Sequence, residues 1–392
     1  MEPSWLSAVT AQLERLQSQG RYRSRAVKGG PEGPETVIDG RRYLNFSSND
    51  YLGLANHPRV KQALLEGVAR YGLGAAASQL VTGYTDAHRR LEQDLAQWMG
   101  TARALVFSSG YLANLGVIGA LAGPGDTVLE DRNNHASLLD AALMSRARLR
   151  RFVHRDLHSL QRRLDMINDG RVIVATDTVF SMQGTLAPLA EIAALCRRYG
   201  VLLMADDAHG IGVLGAHGQG AVAHLGLGAE EVPVRVGTFG KALGGAGAFV
   251  AGPEPVIELL IQKARTYIYT TGLPPALAVA TSASLELLCS EPWRRHGLWT
   301  SIQYFRERAQ RLGIPLQASD SAIHSVILGE AEAAMEASRR LRERGIYIVA
   351  IRPPTVPEGS ARLRIVINAA HSREHLDHLL SALADLRGLG AA

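Results

Sequence analysis

Apolar residues recur along this chain with two periods, and the alternation between those periods predicts its architecture. Near the start, Val9, Leu13 and Leu16 fall at helical spacing, so Ser7–Gln19 is expected to form a short amphipathic helix. Arg21–Arg25 and the turn-rich Gly29–Pro34 read as an arm, and Val37–Phe46 reads as a hairpin turning at Asp39-Gly40. A helix is expected near His57–Tyr71. From about Tyr84 to Val250, short apolar runs alternate with amphipathic stretches. Strands are predicted at Ala104–Phe107, Thr127–Glu130, Ala147–Phe152, Val172–Thr176, Val201–Ala205 and Val232–Val236. Helices are predicted at His88–Trp98, Tyr111–Leu121, Ala136–Ser145, Leu157–Ile167 and Leu189–Tyr199. Such spacing argues for an α/β fold with a mostly parallel sheet covered on both faces, whose ligands sit beyond the carboxyl ends of the strands.

After Pro274-Pro275 the pattern changes. Helices are expected at Leu277–Leu288, Trp299–Leu312 and Ala331–Arg344, and strands at Ala322–Leu328 and Leu363–Ile367. The expected division is an N-terminal arm and hairpin at 1–50, a large α/β domain at 51–275 and a smaller α+β domain at 276–392.

Composition narrows the class. A hydrophobic fraction of 46% with 20% charged residues suits a folded globular protein rather than a disordered one. No apolar run is long enough to span a membrane, and the N-terminus lacks a basic stretch followed by an apolar core, so neither a membrane span nor a secretory signal is expected. Cys196 and Cys289 lie far apart without Cys-x-x-Cys spacing, which suits a reducing cytoplasm. The net charge of +5 would suit nucleic acid, an acidic carrier protein or a phosphorylated substrate. The arginines are scattered and no aromatic residues interleave them, so nucleic acid is not expected.

The candidate chemistry centres on Thr238-Phe239-Gly240-Lys241-Ala242-Leu243-Gly244-Gly245-Ala246-Gly247. Lys241 is one of four lysines, with Lys28, Lys61 and Lys263, and it lies among glycines and small apolar residues. Glycine lets backbone approach a flat cofactor, and apolar surroundings favour the neutral, nucleophilic amine of a Schiff-base lysine. A glycine-rich turn with a snorkelling lysine is the competing reading. The run Val201–Ala205 ends in Asp206-Asp207-Ala208-His209-Gly210, where buried carboxylates need partners. A pyridinium nitrogen facing Asp206 would stay protonated, since an opposite charge shifts such a pKa by about 1–3 units. A helix-capping Asp with a surface His is the alternative. Phe107-Ser108-Ser109-Gly110-Tyr111 closes a strand and opens a helix, offering backbone N–H groups to an anion. His135, after the next strand, could stack on an aromatic ring.

Together these residues meet the requirements of pyridoxal 5'-phosphate, whose ring acts as an electron sink. Competing motifs fail on particular residues. His154-Arg155-Asp156 imitates a kinase loop but has Gln161 at the metal-binding position. Ala242 lacks the hydroxyl that a P-loop requires after its lysine, and Val250 stands where a dinucleotide fingerprint needs its third glycine. His154 and His158 lack further metal ligands, so no metal is expected.

Four runs then carry a resemblance: Tyr43–Leu54, with Asn49-Asp50-Tyr51-Leu52-Gly53 inside it, Asp206–Gly210, Thr238–Lys241 and Ile351-Arg352-Pro353-Pro354-Thr355-Val356-Pro357. In order and over essentially the whole chain, these resemble the α-oxoamine synthases, pyridoxal phosphate enzymes of fold type I. The resemblance implies a homodimeric cytoplasmic acyltransferase that joins L-alanine to a pimeloyl thioester, on coenzyme A or acyl carrier protein, in biotin biosynthesis. The alternatives are a relative using glycine or serine with another acyl thioester, or a catalytically idle fold relative acting as a binding protein, against which the intact Lys241 and Asp206 argue. By resemblance, Lys241 would bind the cofactor and move the Cα proton, and Asp206 would pair with the ring nitrogen. His209 and Ser181 would contact the phenolic oxygen, and His135 would stack on the ring. Gly110 and Tyr111 would line the site, while Thr238, and Thr270 or Thr271 of a neighbouring subunit, would hold the phosphate. Arg352 would grip the amino acid's carboxylate, Thr355 and Asn49 would contact substrate, and Arg23 would reach the acyl donor. Where the family often has a Gly/Ser-rich run ending in Arg or His, this chain has Gly74-Ala75-Ala76-Ala77-Ser78-Gln79.

Overall fold

A computed structural model describes residues 4–386. Its centre is a seven-stranded sheet. Across the sheet the strands run Arg103–Phe107, Ala248–Gly252, Val234–Thr238, Leu202–Asp206, Val172–Asp177, Thr127–Asp131 and Arg148–Phe152. Six are mutually parallel, and Ala248–Gly252 alone runs against both of its neighbours. The pattern of apolar runs predicts the six parallel strands and misses the seventh. That strand, Ala-Phe-Val-Ala-Gly, follows directly on the glycine-rich run 244–247, ends in glycine and is apolar on both faces, so no period of two marks it. The strand expected at Val232–Val236 lies two residues later, at Val234–Thr238.

Apolar side chains cover both faces. Helices Gly110–Leu121, Ala136–Ser145 and Glu254–Lys263 bury Val117, Leu138 and Leu260 with Val128, Val234 and Val250 of the sheet. On the other side, Leu157–Asp165 and Leu189–Tyr199 pack Leu160 and Ile192 against Leu129, Val174 and Leu203. Each fully buried leucine of this kind contributes about 1.5–3 kcal/mol relative to exposure.

The missed strand sets the position of Lys241. Residues 239–247 form the connection between two antiparallel neighbours, Val234–Thr238 and Ala248–Gly252. Gly244 has φ +63°, and a Cβ there would come within 2.2 Å of the Ala55 backbone nitrogen. Gly247 has φ +102°, and a Cβ there would lie 3.0 Å from the Phe107 carbonyl oxygen. These two glycines therefore let the loop fold onto the chain's own backbone, a different use from the cofactor approach that the sequence pattern suggests.

The ends of the chain meet. Glu35–Ile38 and Arg41–Asn45 form the expected hairpin, with positive φ at both Asp39 and Gly40, as a two-residue turn of this hand requires. Its second strand pairs in parallel with Ile346–Tyr347, Leu44 opposite Ile346 and Asn45 opposite Tyr347. A further antiparallel sheet runs Ile323–Gly329, Ala361–Val366, Ala350–Ile351. The N-terminal helix spans Ser4–Ser18 and buries none of its residues, leaving Trp5, Val9 and Leu13 exposed. Among the described residues, no helix is long and apolar enough to cross a membrane, and no group of three or more His, Cys, Asp or Glu side chains is arranged to hold a metal ion.

Candidate active site

The parallel strands end together and bring their terminal residues to one edge. Asp177 and Asp206 are direct register partners on adjacent strands, and Asp207 follows. All three are buried. Asp206 accepts from Asn114 Nδ2 at 2.6 Å and from the Ala208 N–H at 3.0 Å. Asp177 accepts from the His135 N–H at 3.0 Å, and burial pushes its pKa well up. Asp207 has a structural task. It accepts from the Thr178 hydroxyl and, at 2.8 Å, from the Ala221 N–H, and so pins the loop that carries His209.

Lys241 Nζ lies 2.8 Å from His209 Nε2. Burial lowers the lysine to about 8, against the opposing pull of Asp206 and Asp177. A lysine in this setting is about one-tenth free amine at pH 7, far more than a solvated lysine, which the competing surface-lysine reading does not explain. Burial likewise pushes His209 well below the ordinary histidine value, with the Lys241 charge adding to it, so the ring is neutral. Its other nitrogen, Nδ1, lies 2.7 Å from the Tyr51 hydroxyl.

His135 caps helix Ala136–Ser145, its Nδ1 lying 2.8 Å from Ser137 Oγ. Asn114 Nδ2 also reaches Ser137 Oγ, at 2.8 Å, so one amide ties Asp206 to the loop that holds His135. Gly110 begins helix Gly110–Leu121, capped by Ser109 Oγ accepting from the Leu112 N–H. A Cβ on Gly110 would lie 4.0 Å from Thr238 Cβ, so the helix start and Thr238 form one cradle. Thr238 is buried, with Oγ1 donating to the Gly247 carbonyl at 3.0 Å. Tyr111 is exposed and its hydroxyl bonds the Asp140 carboxylate. Thr271 lies at the same edge, its carbonyl accepting from Ser108 Oγ at 3.4 Å, and Thr270 adjoins it.

Arg364 is the functional candidate that the sequence pattern does not single out. It is buried, donating from Nε to the Ser181 carbonyl at 2.7 Å and from Nη2 to Asn49 Oδ1 at 3.1 Å. Its charge acts on Lys241 and on His209. The available signal is Arg362 and Arg364 alternating with Leu363 and Ile365 in one strand, two cations on one face of an element buried throughout. Arg352 lies elsewhere, bonded to the Tyr22 carbonyl and, at 3.0 Å, to Met335 Sδ. Arg23 reaches Thr355 Oγ1 at 3.3 Å. Arg23 of the arm thus gathers with Arg352 and Thr355, and no hydrogen bond among the described residues joins them to the Lys241 group.

A family model, aminotransferase class I and II, matches residues 41–383. The 8-amino-7-oxononanoate synthase of Stutzerimonas stutzeri is 55% identical over 377 residues, covering 96% of each chain. The chain belongs to the 8-amino-7-oxononanoate synthase family, within the class I and II aminotransferases. A second family member, from Nitrosococcus oceani, is 54% identical over 96% of this chain and 100% of its own. Among solved structures, a Sphingomonas wittichii serine palmitoyltransferase is similar with a TM-score of 0.92 at 32% identity, covering 99% of this chain and 98% of its own. A family member from Francisella tularensis gives 0.77 at 31% identity, covering 88% and 97%. The fold is that of the pyridoxal phosphate enzymes of fold type I, as the sequence resemblance implies.

Proposed function

We propose that this chain condenses L-alanine with a pimeloyl thioester, releasing carbon dioxide and the free carrier and forming 8-amino-7-oxononanoate for biotin biosynthesis. The observation that carries this reading is an identity of about 55% along almost the full length to proteins of that name, against 32% to a serine palmitoyltransferase of closely similar backbone. Backbone likeness alone leaves the amino acid open, and sequence identity favours alanine.

The residues fit pyridoxal 5'-phosphate. A buried carboxylate at Asp206 suits a protonated ring nitrogen, the free amine of Lys241 suits an aldehyde, and the Gly110–Thr238 cradle suits a phosphate. His209 and Ser181 would hold the phenolic oxygen, His135 the ring face, and Tyr111 the rim. When bound, the cofactor supplies the electron sink for charge developing at the amino acid's Cα. Lys241 Nζ removes the Cα proton and later returns one, and its lowered pKa suits both directions. Asp206 holds the positive charge that this sink needs. Arg364 binds alanine's carboxylate, since two of its five donors serve Asn49 and Ser181 and others remain for a substrate. Arg23, Arg352 and Thr355 serve the acyl donor.

The site lies across the two larger units proposed for the chain, with Lys241, Asp206 and His209 in 51–275 and Arg364 in 276–392. We further propose a cytoplasmic homodimer. The exposed stripe of Trp5, Val9 and Leu13, and the exposed Leu73, Val81 and Tyr269 flanking the bonded segments 77–78 and 271–272, are apolar surfaces that a second copy would cover. Thr270 or Thr271 of one copy would then reach the phosphate held by the other. The cytoplasm suits the two free cysteines.

The decisive assay supplies pimeloyl thioester with alanine, glycine or serine and measures carbon dioxide release. Alanine is expected to lead by at least about tenfold, and a preference for serine or glycine would transfer the chain to the other branch. Arg364→Lys is expected to raise the KM for alanine about 10²-fold, whereas Arg352→Ala should leave it within about threefold. The reverse pattern would move the carboxylate to Arg352.

A further inference from the structure

Tyr51 is fully buried and supplies no contact that the proposed chemistry requires, yet it stands next to the residue that holds Lys241. Four side chains form a line. Lys241 Nζ is 2.8 Å from His209 Nε2, His209 Nδ1 is 2.7 Å from Tyr51 Oη, and Tyr51 Oη is 3.3 Å from Asn49 Oδ1. We propose that Tyr51 is a positioning residue that sets the tautomer His209 presents to Lys241, and through it the protonation of the lysine.

The hydrogen-bond inventory dictates how. A neutral imidazole has one N–H and one lone pair. When Lys241 is an ammonium, it donates to Nε2, so the imidazole proton must sit on Nδ1. Tyr51 then accepts from Nδ1–H and donates its own proton to Asn49 Oδ1. When Lys241 has lost a proton, its amine can accept from Nε2–H, which leaves a lone pair on Nδ1. Tyr51 then donates to Nδ1 instead. A hydroxyl serves both arrangements by rotating, and no proton leaves the tyrosine. Burial pushes Tyr51 up to about 12, so it stays protonated throughout. Arg364 also lies within hydrogen-bonding reach of the Tyr51 hydroxyl, and the groups facing this line act on it through their charges. Asp206 and Asp177 favour the ammonium, while Arg364 opposes it and His135 adds to the pressure on His209.

Removing the hydroxyl does not affect the two arrangements equally. In the first, the variant strands a buried N–H donor. In the second, it strands only a lone pair, and orphaned buried donors are the rarer and costlier defect. Tyr51→Phe should therefore favour the free amine. The pH at which Lys241 loses its proton is expected to fall by about one unit.

The lysine can be titrated without any activity measurement. The full chain, freed of cofactor, is labelled with trace acetic anhydride across pH 6–11, and peptide masses report acetylation at Lys241 against Lys28, Lys61 and Lys263 in the same sample. The catalytic meaning of the result rests on the function proposed above, but the titration does not, so a missing enzymatic turnover and an unchanged titration would be separate failures. Wild type should titrate near 8 at Lys241, and Tyr51→Phe lower, with the reference lysines unmoved. Asn49→Ala, which removes the acceptor for the tyrosine's proton, should shift Lys241 the same way, and that shift should vanish when Tyr51→Phe is already present. Circular dichroism selects folded variants. An unchanged or raised Lys241 titration in folded Tyr51→Phe, or an Asn49→Ala shift that persists in the double variant, would overturn the proposal.

Discussion

Lys241→Ala is expected to lower turnover by at least about 10⁴-fold while leaving the fold intact. Loss of a positioned general acid–base costs roughly 10²–10⁴ in rate, and loss of the covalent tether for the cofactor adds to it. The side chain comes from a loop whose shape depends on Gly244 and Gly247 rather than on the lysine, so truncation leaves the backbone supported. Two readouts should move together: carbon dioxide release, and the visible absorbance acquired when the cofactor is added to wild type. A variant that keeps that absorbance would place the attachment point elsewhere.

Asp206→Asn is expected to cost roughly 10³-fold in turnover, in the range found when a preorganised electrostatic group is removed. The substitution is nearly isosteric, and its effect can be separated from misfolding. Asn114 Nδ2 now donates to Asp206 Oδ2, while Asn114 Oδ1 has no partner. If the new amide points its NH2 toward Asn114, that side chain can turn over and offer Oδ1 instead, although its bond to Ser137 Oγ is then lost. The neutral amide cannot hold a proton on a ring nitrogen. The expected signature is therefore a low turnover with cofactor binding weakened much less. A variant within about tenfold of wild type would remove Asp206 from the role of ring partner.

Most of the catalytic edge is legible in the linear sequence because strand ends announce themselves. Val201–Ala205 is a run of apolar residues, and the two acids and the histidine after it mark where the strand meets the site. What one segment cannot reveal is which residue of another strand lies beside it. Asp177 sits opposite Asp206 only because their strands pair in that register, and the sequence reading ends its strand one residue earlier, at Thr176. Asn114 is hidden for another reason. It is a single polar residue within the otherwise apolar helix Gly110–Leu121, and its meaning depends on Asp206 and Ser137, one of them 92 positions away. Arg364 and Tyr51 belong to runs that read as strand and loop, and their neighbours Asn49 and His209 lie 315 and 158 positions away. Composition and periodicity record what each segment buries, and the partners that give a buried polar group its purpose are long-range facts.

The parallel pairing of Leu44 and Asn45 with Ile346 and Tyr347 bears on how the polypeptide matures. A nascent chain leaving the ribosome holds the first hairpin early, but the strand that completes its sheet is made about three hundred residues later. Arg364, which secures Asn49, emerges later still. Such distant closure is slow and leaves an unpaired edge waiting. Shortening the tail before residue 346 should therefore damage the front of the protein as well as its back, so that chaperone demand, rather than catalysis, would limit the yield of any prematurely terminated product.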